Sequence, residues 1–388
     1  MTHRAAARML GIESFRVMQI LARARALESE GRSIVHMEIG EPDFPTASAI
    51  VDAGVAALRA GHTQYTPALG LPALRAAIAS QYPENARPDP SRVAVTPGSS
   101  GALALIFGTL INPGDEVLMA DPGYPCNRHF VRLFEGRARL IAVDASSAYQ
   151  LTARHVRENW SPNTKAVLIS SPSNPTGTQV PDEEMARIVA EVRERGGELI
   201  VDEIYHGLTY EAPARSVLHY SNDVFVVNSF SKYFGMTGWR VGWLVAPASA
   251  IEAIDRLAQN LFLATNTVAQ YAALAALAPA TLAELEVRRK EFQARRDFLL
   301  PALRNLGFRI PATPVGAFYL YADCSAFTNN SEQFASELLE QAGVAITPGR
   351  DFGEHAPERH VRFSYANTQT RLEEGVRRIA AFLGKPLR

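Results

Sequence analysis

The chain predicts an α/β fold: a large domain with a mostly parallel mixed sheet between helices, plus a smaller α+β domain. Three observations carry that expectation. Short, continuous apolar runs alternate with amphipathic stretches, as strands do when crossover helices bury them on both faces. Polar residues follow the ends of those runs, where ligands bind in sheets of this kind. Past a long charged helical stretch the strands change character, which marks a second unit.

In chain order the first element is a helix. Ile12, Phe15, Met18, Leu21, Ala24 and Leu27 recur at three-residue steps along one slowly drifting face, and Gly31 supplies a stop. The preceding Met1-Thr2-His3-Arg4-Ala5-Ala6-Ala7-Arg8 is basic like the start of a targeting segment, but no apolar core or cleavage pattern of a signal peptide follows it. Five apolar runs then read as strands, at 93–96, 116–120, 165–170, 199–202 and 224–228, with a helix at 102–110 after the first. A helix at about 280–304, carrying Arg288, Arg289, Lys290, Arg295 and Arg296, leads out of this sheet. Segments 316–321 and 361–365 read as strands of the smaller unit.

Composition narrows the function. A chain of 388 residues with 47% hydrophobic content suffices for two or three packed units. Its 39 basic and 40 acidic residues leave a net charge of -1 without long runs of one sign, which argues against nucleic acid as a partner and favours small molecules. Cys126 and Cys324 are too few for a disulfide framework and lack C-x-x-C spacing, so no metal site is expected and the chain reads as cytoplasmic. No uninterrupted apolar stretch of about 20 residues is present, so no membrane span is expected.

The chemistry concentrates at Lys232. It stands in Ser229-Phe230-Ser231-Lys232-Tyr233-Phe234-Gly235-Met236-Thr237-Gly238-Trp239-Arg240, thirty residues after Asp202 at the end of an apolar run. Alone, Asp202 is an ordinary strand-end carboxylate and Lys232 an ordinary surface lysine. Together with Arg240 they meet the needs of pyridoxal phosphate: an amine for the aldehyde, a carboxylate for the pyridine nitrogen and a cation for the phosphate. Thr96-Pro97-Gly98-Ser99-Ser100-Gly101 precedes a helix, so its backbone N–H groups and the hydroxyls of Ser99 and Ser100 suit a phosphate. By itself that segment is more often a capped turn. Asp121-Pro122-Gly123-Tyr124-Pro125 is the least specific signal, a turn whose tyrosine either packs in the core or lies against the cofactor ring. Ser171-Pro172-Ser173-Asn174-Pro175-Thr176-Gly177 follows a strand and offers Asn174 as a hydrogen-bond donor; its bland reading is a proline-rich turn. Arg362, flanked by apolar residues in His360-Val361-Arg362-Phe363-Ser364, is either a structural ion pair or a two-pronged carboxylate binder.

At these residues the chain resembles the class I/II aminotransferases, the aspartate aminotransferase-like group of pyridoxal phosphate fold type I, from about Ile12 to the C-terminus. The resemblance implies a large cofactor-binding domain over 46–285 and a small domain formed by 1–45 and 286–388. It implies transfer of an amino group from an L-amino acid to a 2-oxo acid by a ping-pong ketimine mechanism, with Lys232, Asp202 and Tyr205 catalytic. Ser99, Ser100, Tyr124, Asn174, Tyr205, Ser229, Ser231 and Arg240 complete the cofactor site, Asn174 and Tyr205 sharing the 3'-oxygen. Gly40, Asn174 and Arg362 are implied for the substrate carboxylate. Tyr65, in Gln64-Tyr65-Thr66-Pro67-Ala68-Leu69-Gly70, is implied to reach the phosphate of a neighbouring subunit, which makes the protein a homodimer with shared active sites.

The substrate is less legible. In the branch that binds a side-chain carboxylate through a lysine of the phosphate-loop helix, that lysine stands where this chain has Ser100, which argues against an aspartate donor. Tyr124, Phe44, Tyr319 and Phe318 suggest an apolar or aromatic pocket, or core packing. Alanine-like, branched-chain or aromatic donors are expected, with 2-oxoglutarate or pyruvate as acceptor. A C–S β-lyase of the same fold shares every residue named and stays open as the alternative. A regulator descended from the fold is disfavoured, because the motifs begin by Glu38 and the stretch before them is short for a DNA-binding domain.

Overall fold

The strands of the computed structural model, in chain order, are β1 (Val35–His36), β2 (Val93–Thr96), β3 (Glu116–Asp121), β4 (Arg137–Ala142), β5 (Thr164–Ser170), β6 (Glu198–Asp202), β7 (Phe225–Ser229), β8 (Gly242–Val245), β9 (Tyr319–Asp323), β10 (Val344–Ala345), β11 (Thr347–Pro348) and β12 (His360–Ser364). The structure describes residues 5–386; residues 1–4, which open the basic N-terminal stretch, lie outside them. Seven strands form one sheet in the order β2-β8-β7-β6-β5-β3-β4. All run parallel except β8, which is antiparallel to both β2 and β7.

Side-chain alternation explains why the central runs are apolar throughout. Successive residues of a strand point to opposite faces. Val95, Leu118, Val167, Val201, Val226 and Trp243 enter one core. Their neighbours Ala94, Val117, Leu168, Ile200, Val227 and Leu244 enter another on the opposite face. Helices Ser48–Arg59, Pro72–Ser80, Asp182–Glu194 and Thr267–Ala276 cover the first core, and helices Gly98–Leu110 and Ile251–Leu261 the second. The expected mostly parallel mixed sheet between helices is therefore present.

A second set of strands lies beyond helix Pro279–Asn305. β11, β12 and β9 form an antiparallel sheet, and β1 pairs in parallel with β10, so the N-terminal segment adds an edge to structure made by the C-terminal third. Phe292, Leu299 and Leu303 of the long helix pack there with Phe308, Phe318, Leu320 and Phe363. Among the described residues no single helix is long and apolar enough to cross a membrane.

Several elements differ from the expected ones. The first helix runs Arg16–Ser29, after a short 3-10 turn at Ala7–Gly11, and buries Val17, Ala24 and Leu27. A three-residue step loses about 60° on a helix of 3.6 residues per turn, so six residues at threes drift from one face to another, whereas the seven-residue step from Val17 to Ala24 loses only about 20°. Met18 is consequently 55% exposed. β4 and β8 were not legible. β4 is an edge strand whose Arg137 and Arg139 interrupt the apolar run, and β8 is only four residues long. Helix Gly98–Leu110 starts four residues earlier than expected, which puts Gly98, Ser99 and Ser100 in its first turn.

Candidate active site

The carboxyl ends of the large sheet converge on one cavity of about 420 Å³, a volume in the range of small-molecule sites. Asp202 is the last residue of β6, Lys232 lies in the turn after β7, Asn174 follows β5 and Tyr124 follows β3. Ser99, Ser100, Tyr205, Ser231 and Arg240 join them at the cavity wall, and Gly40 and Arg362 arrive from the other unit. Two expected residues do not line it. Ser229 is buried behind the wall, donating from Oγ to Ser231 Oγ at 2.8 Å and accepting from Ser231 N at 3.0 Å. Tyr65 lies outside the cavity, 81% exposed.

Lys232 donates from Nζ to the carbonyl oxygen of Gly40 at 2.6 Å. Enclosure pushes its pKa down to about 8; Arg362 and Arg240 add to the fall, while Glu41 and Asp202 oppose it. Burial is the largest of these causes. Asp202 is 5% exposed. Burial pushes its carboxyl up to about 7, against the hydrogen bond that its Oδ1 accepts from Ile204 N at 3.0 Å. Burial thus drives the amine and the acid toward their neutral forms, and the attraction between them offsets that only in part.

The phosphate cradle is a close approach of two backbones. No side chain caps the N-terminus of helix Gly98–Leu110, so its first N–H groups are free to meet an anion. Arg240 holds a left-handed backbone, φ 53°, and donates from Nη1 to Thr237 O at 3.0 Å. A Cβ on Gly98 would lie 2.6 Å from Arg240 Nη2, and one on Gly242 would lie 2.8 Å from the backbone of Gly98. Both glycines are required for guanidinium and helix start to stand together.

Arg362 is 2% exposed. It donates from Nη1 to Asn174 Oδ1 at 2.9 Å and from Nη2 to Glu38 O and Thr347 Oγ1. Its guanidinium carbon sits 4.3 Å over the Tyr319 ring and 4.8 Å over that of Phe352. Among the described residues it has no carboxylate partner, so the structural ion pair is absent, and its Nε has no hydrogen-bond partner. A buried donor left unpaired is costly unless a ligand satisfies it.

Tyr205 shares a 3.0 Å hydroxyl contact with Tyr319, and Tyr124 meets Phe15 edge to face at 6.3 Å. Burial raises the phenol pKa of both Tyr205 and Tyr124 well above the ordinary value. Of the aromatics considered for a pocket, Tyr124 and Tyr319 line the cavity; Phe318 is wholly buried against Phe292, and Phe44 packs on Phe292 beneath Arg295. Sequence reasoning missed the wall that the N-terminal helix supplies through Met18, Leu21 and Arg25. Their helical spacing was readable, but a stripe against a cavity is spelled with the same residues as one against a core.

The donor set fits pyridoxal phosphate: a low-pKa amine, a buried carboxyl with no cation in ion-pair contact among the described residues, and an uncapped helix start beside an arginine. Among the described residues no group of three or more His, Cys, Asp or Glu side chains could hold a metal ion.

A family model described as aminotransferase class I and II matches residues 32–379. A (5-formylfuran-3-yl)methyl phosphate transaminase of Methanocaldococcus jannaschii is 39% identical over 383 residues, covering 97% of this chain and 99% of its own. A valine–pyruvate aminotransferase of Mycobacterium tuberculosis is 38% identical over 387 residues, covering 99% of each chain. The crystal structure of an aminotransferase from Mycobacterium tuberculosis superposes with a TM-score of 0.95 at 38% identity, over 99% of this chain and 100% of that one.

Proposed function

The chain belongs to the class I and II aminotransferases, and we propose that it takes its amino group from an apolar L-amino acid, with the residues of the cavity dividing the work as follows. It is a pyridoxal phosphate-dependent aminotransferase, and its substrates are amino acids and 2-oxo acids. When bound, the cofactor supplies a carbonyl carbon that takes up the amino group and a conjugated ring that accepts electron density as the substrate Cα loses its proton.

Asp202 is the residue that would hold the proton on the ring nitrogen. Its burial with no cation in ion-pair contact among the described residues supports this, because a positive ring nitrogen offsets the penalty that raises its pKa. Lys232 would carry the cofactor and, with an amine half neutral near pH 8, take the proton from the substrate Cα. Arg240, Ser99, Ser100 and Ser231 would hold the phosphate, with Ser229 orienting Ser231. Tyr124 would lie against the ring, and Asn174 and Tyr205 would meet its 3'-oxygen. Arg362 would grip the substrate carboxylate, oriented by Asn174 and Glu38 O, with Gly40 at the wall of the same cavity.

The apolar donor rests on the cavity wall built by Phe15, Val17, Met18, Leu21 and Ile39, and on Ser100 standing where a lysine would bind a side-chain carboxylate. The valine–pyruvate relative supports the same range. We assign 46–285 to the cofactor-binding domain and 1–45 with 286–388 to the small domain, and take the protein to be a cytoplasmic homodimer. Exposed Val51, Val55 and Leu58 on helix Ser48–Arg59, close in sequence to the exposed Tyr65, support a face that a second subunit covers.

The single observation that carries this reading is the convergence of Lys232, Asp202, Arg240 and Arg362 on one cavity. The test is an amino-acid panel scored for 2-oxo acid with and without an acceptor. Turnover that requires the acceptor, greatest for valine-, alanine- or aromatic-type donors, is the expected result. Pyruvate and ammonia released from cysteine conjugates without an acceptor would identify a β-lyase instead.

A further inference from the structure

Helix Arg16–Ser29 lies along the cavity. Phe15, Met18, Leu21 and Arg25 follow one another at steps of three, three and four, the spacing of a single helical face, and all four line the cavity. The first three are apolar and the last is a guanidinium.

Arg25 differs from every other arginine of its helix. Arg16 pairs with Glu332, and Arg23 with Glu340 and Glu30. Arg32, just past the helix, also pairs with Glu340. Arg25, among the described residues, makes no ion pair and no side-chain hydrogen bond, and the helix's own C-terminal carboxylates are engaged elsewhere, Glu28 by His36 and Glu30 by Arg23. The other cations of the cavity each already donate to a protein acceptor. Lys232 is held by Gly40 O, Arg240 by Thr237 O and Arg362 by Asn174. Of the two carboxylates at the wall, Glu41 accepts from Thr237 and Asp202 from Ile204 N, and neither pairs with Arg25.

We infer that Arg25 is a selectivity residue that receives the distal anion of a 2-oxo acid whose aliphatic chain runs along Met18 and Leu21. The inference rests on the aminotransferase reading of the site. In a reaction of two half-turnovers one cavity receives donor and acceptor in succession. An arginine suits that double duty, because its stem covers apolar surface while its fork stays in water until an anion arrives. An apolar donor meets the stripe, and an anion-ended acceptor meets the stripe and the fork.

The test compares three acceptors of matched length with the holoenzyme: 2-oxoadipate, 2-oxo-5-phosphonopentanoate and neutral 2-oxohexanoate. Wild type should favour one or both anionic acceptors by kcat/KM, the pair telling carboxylate from phosphonate. Arg25→Met should lower that preference about tenfold, and Arg25→Glu should lower it further, as for a partly exposed charge pair to an anion. Raising the salt should erode the preference in wild type and leave it flat in Arg25→Met. No preference in wild type, or a preference untouched by both variants, overturns the inference. Failure of all three acceptors, with the amino-acid half-reaction also absent, would instead overturn the aminotransferase reading.

Discussion

Lys232 Nζ and the carbonyl oxygen of Gly40 lie 2.6 Å apart, so an amine from the end of the large sheet is held by backbone that follows β1, on the other side of the cavity. The same glycine is a contact point for a second pair. A Cβ at Gly40 would stand 2.6 Å from the hydroxyl of Tyr319, which in turn touches the hydroxyl of Tyr205 at 3.0 Å.

Gly40→Ala therefore has to move either Tyr319 or the segment after β1 that presents the carbonyl to Lys232. The expected outcome is a fall in kcat/KM of about 10- to 100-fold, the scale of small misplacements near reacting groups, with a smaller effect on melting temperature. Steady-state kinetics beside a thermal melt of the same sample checks it. Normal kinetics would mean that Tyr319 yields freely and that the Gly40 contact does not position the amine.

Asp202 gives a pH prediction whose sign follows from proton counting. In the folded chain its pKa is raised to about 7, whereas an unfolded aspartate titrates near about 3.9. Between those values the folded state binds more protons, so this group's contribution to stability falls as pH rises through the window. In cofactor-stripped protein, Asp202→Asn should flatten the melting profile from about pH 4 to 7 and should melt no lower than wild type at pH 8, where the buried charge is fully present. With cofactor the order of merit reverses, and the variant should lose roughly 10²- to 10³-fold in turnover, as when a charge partner at a reacting centre is removed. Parallel melting profiles for the two stripped proteins would show that Asp202 does not carry the buried charge.

Arg362→Lys keeps the charge and loses the fork. With Nη1 on Asn174 and Nε unpaired, the guanidinium has donors to spare for a carboxylate, and a single ammonium cannot reproduce two parallel bonds. The amino-acid KM should rise about 10- to 100-fold, with the cofactor absorbance band unmoved. A lowered melting temperature at unchanged KM would make Arg362 a packing residue alone.

Tyr65 is 81% exposed and outside the cavity of its own chain, which leaves its hydroxyl free for the proposed role at a partner's cofactor. Mixed dimers of Tyr65→Phe and Lys232→Ala chains then hold one site with both lesions and one with neither. Each parent should be impaired, and subunit exchange should restore up to about half of wild-type activity per hybrid dimer. Verified hybrids with no recovery would confine Tyr65 to its own chain or to the surface.

Much of the site was legible because its chemistry is local. The segments Gly98–Ser100, Ser173–Asn174 and Ser229–Arg240 each begin at or just past the end of a strand, and a parallel sheet brings the ends of its strands to one edge whatever the loops do. Asp202 and Lys232 could be paired by residue type and position alone. The N-terminal wall could not, since Met18, Leu21 and Arg25 acquire meaning only where the helix is docked, and a three-residue period groups Met18 and Leu21 with Ala24 and Leu27 without telling a cavity from a core.

The fold class and the cofactor were legible in the sequence, and the strand-end residues that meet at the cavity could be named from it, because apolar continuity and short motifs are written in neighbouring residues. Tertiary structure alone decided what surrounds them. It set Gly40 against Lys232, Tyr319 against Tyr205 and Asn174 against Arg362, pairs separated by 192, 114 and 188 residues. It also decided the protonation of Lys232 and Asp202, because a pKa depends on how much water the fold excludes and on which charges it brings near, and neither is a property of a residue in its own segment.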